Sequence, residues 1–154
     1  MKGLESKQVS EKARQGIYGI IFTTWNANII QDLLKETKKE LLNQGVDEAN
    51  IIVKEVPGAF ELPLATQIMA EKENISSVIS LGAIIQGDTP HFDFISSACI
   101  EGLQNVSLKT KIPVICGVLT TRTVEQAKER SDPNKMNKGK EFALSAMNMV
   151  DALS

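Results

Sequence analysis

Short apolar runs alternate along this chain with stretches in which apolar residues recur at helical spacing. The run at 17–22 is continuously apolar, as in a strand covered on both faces, and three further runs rich in Ile, Val and Leu are predicted strands: 51–56, 77–85 and 113–119. The periodic stretches predict helices over about 30–42, 61–74, 95–106, 124–130 and 138–153. This strand–helix alternation predicts an α/β fold whose parallel sheet carries helices on both faces.

The domain organisation follows from the length and the lack of internal boundaries. A chain of 154 residues can bury one full core, and it contains no repeat or linker that would separate two domains. We predict an N-terminal arm at 1–15 and a single domain at 16–154. The arm is charged and polar without a signal-peptide apolar region. No apolar run reaches the ~18 residues of a membrane span.

The composition of the chain argues against several classes of function. Seventeen basic against nineteen acidic residues give a net charge of −2, which disfavours a nucleic-acid binder. One histidine, His91, excludes a multi-histidine metal site within one chain, and we predict no metal. Cys99 and Cys116 lie in apolar surroundings, so we expect both to be small core residues of a protein in the reducing cytoplasm.

Polar and aromatic residues are concentrated where the predicted strands end. The segments that follow the four strands are 24–26, 56–61, 86–91 and 120–123, and they include the only Trp and the only His. In open parallel sheets, ligands bind outside the carboxyl ends of the strands. We therefore expect a small-molecule site at this edge.

The segment Gly87–His91 has two interpretations. Thr89 at N-cap with Pro90 at N1 would make an ordinary helix start. The free N–H groups of such a start would also bind an anion such as phosphate, although Asp88 would oppose it. His91 in the first turn would stay neutral beside the positive end of the helix dipole, and it could then carry protons near neutral pH.

Other candidates also leave two interpretations open. Residues 122–140 contain six basic and three acidic residues, either a solvated loop or a phosphate clamp with Arg130. Trp25 either caps the core or stacks on a planar heterocycle. Glu61 either complements a helix dipole or accepts hydrogen bonds from a polyol. Thr123 and Gln126 predict a capping box.

Five motifs, taken in order and in register from about residue 16 to 153, resemble the lumazine synthase family. They are VPGAFELP (56–63), LGAIIQGDTPHFDFI (81–95), PVICGVLTT (113–121), EQAKERS (125–131) and NKG (137–139). The resemblance implies a flavodoxin-like three-layer sandwich with a four-stranded parallel sheet. It implies that 5-amino-6-(D-ribitylamino)uracil condenses with 3,4-dihydroxy-2-butanone 4-phosphate. The products are 6,7-dimethyl-8-ribityllumazine, phosphate and water, in the penultimate step of riboflavin biosynthesis, with no metal or organic cofactor.

The resemblance also implies roles for individual residues. His91 matches the proton-transfer histidine. The residues implied to bind the pyrimidine ring and its ribityl chain are Trp25, Ala59, Phe60, Glu61, Ala83, Ile84, Ile85 and Cys116. Of these, Cys116 would come from an adjacent subunit. Phosphate binding falls to Asp88, Thr89, Arg130 and Lys138. The chain departs from the family at Gln86, often Arg, at Asp88, usually small and neutral, and at Cys116, often Phe.

The family resemblance implies a homopentamer with active sites shared between subunits, in some members assembled into decamers or a sixty-subunit shell. Segment 131–136 has no insertion of the kind associated with isolated pentamers, which favours a shell. Riboflavin synthase is an implied partner. One alternative function is a pentameric riboflavin synthase, which the His91 and Arg130 pair disfavours. Another is a catalytically weak flavin-binding or shell-forming homologue.

Overall fold

One four-stranded parallel sheet forms the centre of the molecule. The computed structural model describes residues 8–154. The strands are β1 (Ile17–Thr23), β2 (Ile51–Val56), β3 (Ile75–Ile85) and β4 (Val114–Thr121), in the order β2-β1-β3-β4. All three strand pairs are parallel. The predicted α/β fold with a four-stranded parallel sheet is confirmed.

Helices cover both faces of this sheet. They are α1 (Glu11–Arg14), α2 (Ala27–Asn43), α3 (Leu62–Ala70), α4 (His91–Thr110), α5 (Val124–Ser131) and α6 (Lys138–Ala152). Short 3₁₀ turns occupy Glu48–Asn50 and Ala59–Glu61. The capping box of Thr123 and Gln126 at the start of α5 is confirmed.

Two predicted helix boundaries were wrong. The helix predicted over 61–74 ends at Ala70, because residues 71–74 are exposed and Asn74 adopts a left-handed φ of 67°. The structure also makes Pro90 the N-cap of α4, with His91 as its first residue, where the sequence predicted Thr89 and Pro90. Thr89 Oγ1 still accepts a hydrogen bond from the His91 N–H at 3.4 Å.

Each face of the sheet has its own hydrophobic core. Tyr18, Ile20 and Leu81 belong to the core formed with α2 and α6. Ile21 and Val78 belong to the core formed with α3 and α4. The continuous apolar runs in the sequence result from this double coverage, because successive side chains point to opposite faces.

The segment before β1 packs on the main body of the chain. Val9 and Ala13 are buried, and the Ser10 N–H donates to Asp151 Oδ2 at 3.1 Å. Tyr18 Oη donates to the Ala13 carbonyl at 2.7 Å. Residues 1–7 of the predicted arm lie outside the described residues. The boundary at 15/16 stays a prediction.

Helices α2 and α6 approach closely at Gly139. A Cβ at Gly139 would lie 2.7 Å from the Leu33 carbonyl oxygen and 3.0 Å from Glu36 Cβ. Thr37 Oγ1 donates to the Gly139 carbonyl at 2.9 Å, in a buried contact. Only glycine fits here, because the nearest obstacle is backbone and cannot rotate away.

Gly139→Ala should therefore lower the free energy of unfolding by about 1–3 kcal/mol through overpacking. Urea unfolding followed by circular dichroism measures this. Gly87→Ala is the matched control, because a Cβ at Gly87 would meet nothing within 4 Å. It should change stability by less than about 0.5 kcal/mol. Equal midpoints for the two variants would contradict the close approach.

Candidate functional site

A cleft of about 430 Å³ opens at the carboxyl edge of the sheet, in the size range of small-molecule sites. The chain leaves β1 toward β2 and leaves β3 toward β4, so the strand order reverses between β1 and β3. Residues from the turns after β1 and β2, the end of β3 and the start of α4 line the cleft. The predicted location of the site is therefore where the structure has its main cleft.

Trp25 and Asn26 form the turn between β1 and α2. Trp25 is 73% exposed, so the structure excludes its interpretation as a cap on the core. Asn26 adopts a left-handed φ of 59°, and its side-chain amide donates to the Ala83 carbonyl at 3.2 Å. This bond ties the tryptophan turn to the end of β3. Asn26 is a lining residue that the sequence interpretation left without a role.

The turn after β2 presents Ala59, Phe60 and Glu61 to the cleft. The Glu61 N–H donates to the Gly58 carbonyl at 3.1 Å, which closes the 3₁₀ turn. Glu61 precedes α3 as its N-cap, but its side chain makes no capping hydrogen bond. Its carboxylate, which lines the cleft, is therefore available to accept hydrogen bonds from a ligand.

The start of α4 places His91 at the cleft. His91 is exposed and lines the cleft together with Thr89 and the partly buried Phe92 and Ile95. Pro90 supplies no N–H, so the first free donors of α4 come from His91 onward. An imidazole with solvent access and a neighbouring helix N-terminus can exchange protons with a bound molecule.

Nine of the predicted site residues line one cleft: Trp25, Ala59, Phe60, Glu61, Ala83, Ile84, Ile85, Thr89 and His91. Four others do not contribute to this lining within the chain: Asp88, Cys116, Arg130 and Lys138. The structure therefore brings together all the residues predicted to bind the pyrimidine except Cys116, whereas Thr89 alone of those predicted to bind phosphate lines the cleft.

The two predicted phosphate-binding cations are engaged within their own chain. Arg130 Nη1 donates to the Gln126 carbonyl at 3.0 Å, one turn back along α5. Lys138 Nζ lies 2.8 Å from Glu141 Oε2, and the two side chains are only 16% and 19% exposed. The Lys138 pair is thus already charge-balanced, and an anion bound there would have to share the lysine with Glu141.

The two cysteines differ in environment, which corrects the expectation that both belong to the core. Cys99 on α4 is buried, and burial raises the pKa of its thiol to about 12. Cys116 is exposed. It lies on β4, an edge strand, between Val114 and Val118 on the face toward α4. Partial burial nevertheless raises the pKa of the Cys116 thiol above its usual value.

Residues 8–154 contain neither a cluster of metal ligands nor a helix suited to a membrane. Within that range, no group of three or more His, Cys, Asp and Glu side chains could hold a metal ion. No helix in the same range is both long enough and apolar enough to cross a membrane. Among the described residues, the cleft brings together the side chains of Trp25, Glu61 and His91, and it is the candidate functional site.

Comparison with protein families identifies the family of the chain. A sequence model described as 6,7-dimethyl-8-ribityllumazine synthase matches residues 16–154. The matched range contains the four strands of the sheet and the five helices α2 to α6. Because the match covers most of the chain, it establishes the family and its link to riboflavin biosynthesis. The chain belongs to the 6,7-dimethyl-8-ribityllumazine synthase family.

Proposed function

We propose that this chain is a transferase that forms 6,7-dimethyl-8-ribityllumazine from 5-amino-6-(D-ribitylamino)uracil and 3,4-dihydroxy-2-butanone 4-phosphate. The observation that carries the proposal is one cleft holding an exposed indole, a free carboxylate and the only imidazole of the chain. In a member of this family, that combination suits a planar ring, a polyol chain and proton transfer.

The pyrimidine substrate fits the part of the cleft nearest β1 and β3. The exposed Trp25 indole offers a face on which a planar heterocycle can stack. Ala83, Ile84 and Ile85 supply an apolar wall with backbone groups at the strand end. The Glu61 carboxylate can accept hydrogen bonds from ribityl hydroxyls. The protein thereby holds the pyrimidine amine in position for attack on the second substrate.

The reaction requires proton movements that His91 is placed to serve. The pyrimidine amine attacks the ketone carbon, and the adduct loses water to give an imine. Removal of a proton from the neighbouring carbon expels phosphate from the next one, which leaves an enol that becomes a ketone. The ribitylamino nitrogen then closes the ring with loss of a second water. His91 takes and returns protons in these steps.

We further propose that a neighbouring copy completes the site, in a pentamer or a larger shell. Large apolar side chains remain exposed on the α3–α4 side of the chain: Phe60, Leu64, Ile68, Phe94, Ile100 and Leu108. Apolar residues in such number on one side are typical of a protein interface. In this arrangement Cys116, Arg130 and Lys138 serve the cleft of the adjacent subunit. Riboflavin synthase stays the proposed partner of the shell. We also propose a cytoplasmic location, because both described cysteines are free thiols.

One observation favours a second candidate, a homologue that binds lumazine or flavin but turns over slowly. Lys138 is paired with Glu141, and Gln86 stands where the family resemblance expects an arginine. Both reduce the positive charge that a phosphate would meet. Mixing the two substrates with purified protein, while lumazine absorbance and phosphate release are followed, separates the candidates. Stoichiometric release of both products supports the enzyme, and binding without release supports the homologue.

His91→Ala should slow the condensation by ~10²–10⁴-fold, the usual contribution of a general acid–base group. The residue is exposed at the start of α4, so assembly and thermal stability should be unchanged. Initial rates of lumazine formation measure the effect, and light scattering checks the assembly. A variant with undiminished turnover would remove His91 from the mechanism.

Arg130→Ala should raise KM for the butanone phosphate by at least about tenfold, because a charge-assisted hydrogen bond to phosphate is lost. KM for the pyrimidine should change by less than about twofold. Lys128→Ala is the matched control, since it removes a cation from the same helix turn without touching a predicted phosphate ligand. Equal effects on the KM values of both substrates would contradict the assignment.

Thiol labelling tests the shared site. At pH 8 the Cys99 thiol is protonated, since its pKa of about 12 lies well above that pH, and it should not react with Ellman's reagent. Cys116 should also be protected in the assembly and become reactive when the subunits dissociate without unfolding. Rapid labelling of Cys116 in the intact oligomer would argue against a neighbouring subunit that covers it.

A further inference from the structure

Gly58 occupies the turn that joins β2 to the Ala59–Glu61 segment, and its conformation does not require glycine. Its φ of −153° and ψ of −178° describe extended backbone that any residue adopts. Its carbonyl accepts the hydrogen bond from the Glu61 N–H, which a side chain at position 58 would leave intact. A reason for glycine must therefore come from the space around its Cα.

That space is filled by two side chains of the cleft. A Cβ at Gly58 would lie 3.2 Å from Glu61 Oε2 and 3.3 Å from Trp25 Cδ1. Trp25 Nε1 would be 3.7 Å away. The indole and the carboxylate come from different segments of the chain, one after β1 and one after β2. Both side chains lie beside the Gly58 Cα, in the space that a side chain at position 58 would occupy.

The other glycines between residues 8 and 154 have different neighbours. Gly82 would bring a Cβ to 3.1 Å from Leu62 Cδ1, a buried side chain of the α3–α4 core. Gly87 lines the cleft, but a Cβ there would meet nothing within 4 Å. Gly58 is thus the described glycine whose added methyl group would displace two ligand-facing side chains at once.

We propose that Gly58 is a positioning residue for the pyrimidine subsite, because its bare Cα leaves the Trp25 ring and the Glu61 carboxylate the space to lie side by side at this turn. This inference rests on the proposed function for the identity of the ligand. The stacked heterocycle and its polyol chain are bound by the indole and the carboxylate respectively, so their spacing sets which ligand can use both. The bare Cα of Gly58 lets both groups lie close to the turn.

A methyl group at position 58 would change binding more than stability. Contacts of 3.2–3.3 Å require the neighbours to move by a few tenths of an ångström, and both neighbours are exposed and can do so. The fold should therefore tolerate Gly58→Ala, whereas the Trp25 ring and the Glu61 carboxylate should shift away from the turn and change their distance from each other. Small misplacements of binding groups are costly for oriented substrates.

The experiment compares Gly58→Ala and Gly58→Val with the unsubstituted protein in its assembled state. KM for the pyrimidine should rise about tenfold in the alanine variant and further in the valine variant. KM for the butanone phosphate should change by less than about twofold. Trp25 is the only tryptophan, so its emission reports on this subsite directly, and its quenching by acrylamide should increase.

Gly82→Ala is the control for a purely structural effect. Its methyl group meets a neighbour at a similar distance, but in the buried core, so it should lower Tm without altering Trp25 quenching. The Gly58 variants should show the opposite pattern. Unchanged quenching with an unchanged pyrimidine KM in both Gly58 variants would overturn the inference.

The outcomes also separate this inference from the proposed function. If the unsubstituted protein releases no lumazine, the proposed function fails, whereas Trp25 quenching still decides whether Gly58 positions the indole. If the protein is active and the Gly58 variants raise both KM values equally, Gly58 has no selective role at the pyrimidine subsite. A selective rise with changed quenching supports both statements.

Discussion

The parallel pairing of β1 with β3 is the constraint on which the site depends. The two strands stay in register as far as Phe22 and Leu81, after which β1 ends at Thr23 and β3 continues to Ile85. The extra length of β3 pairs only with β4. Its other edge would leave backbone groups exposed, and the Asn26 amide satisfies one of them at the Ala83 carbonyl. The wall of the cleft is thus a strand that extends beyond its neighbour.

The two faces of the sheet are covered to different degrees. On the α2–α6 face, the helices pack so closely that Gly139 touches the backbone of α2. On the other face, α4 buries only three of its residues, and large apolar side chains on α3 and α4 remain exposed. The face toward α3 and α4 has its own buried core, and these exposed side chains lie outside it. The exposed side is better explained by association with another copy.

The sequence predicted the sheet, the edge that carries the site and most of the lining, because these depend on local patterns. Continuous apolar runs identify covered strands, and the strand-end rule locates the ligand. The errors occurred where tertiary contacts decide. Cys116 has apolar neighbours in sequence, yet its edge strand leaves it uncovered. Asn26 and Gly58 carry no local signal of function, since their roles come from contacts with Ala83 in one case and with Trp25 and Glu61 in the other.

The two cations predicted to bind phosphate, Arg130 and Lys138, lie apart from the cleft of their own chain. The cleft lies where β1 and β3 end and is lined by the start of α4, whereas Arg130 and Lys138 lie on α5 and α6, which pack with α2 on the other face of the sheet. Both side chains are held locally, Arg130 by its own helix and Lys138 by Glu141. A flexible loop could deliver such cations to the cleft of the same chain, but residues at the ends of packed helices cannot travel across the sheet. Both helices contact the edge strand β4, which also carries the exposed Cys116, and this is the edge at which we propose that a second copy presents its cleft. The separation of the residues predicted to bind the pyrimidine from those predicted to bind phosphate therefore supports the proposed site built from two chains.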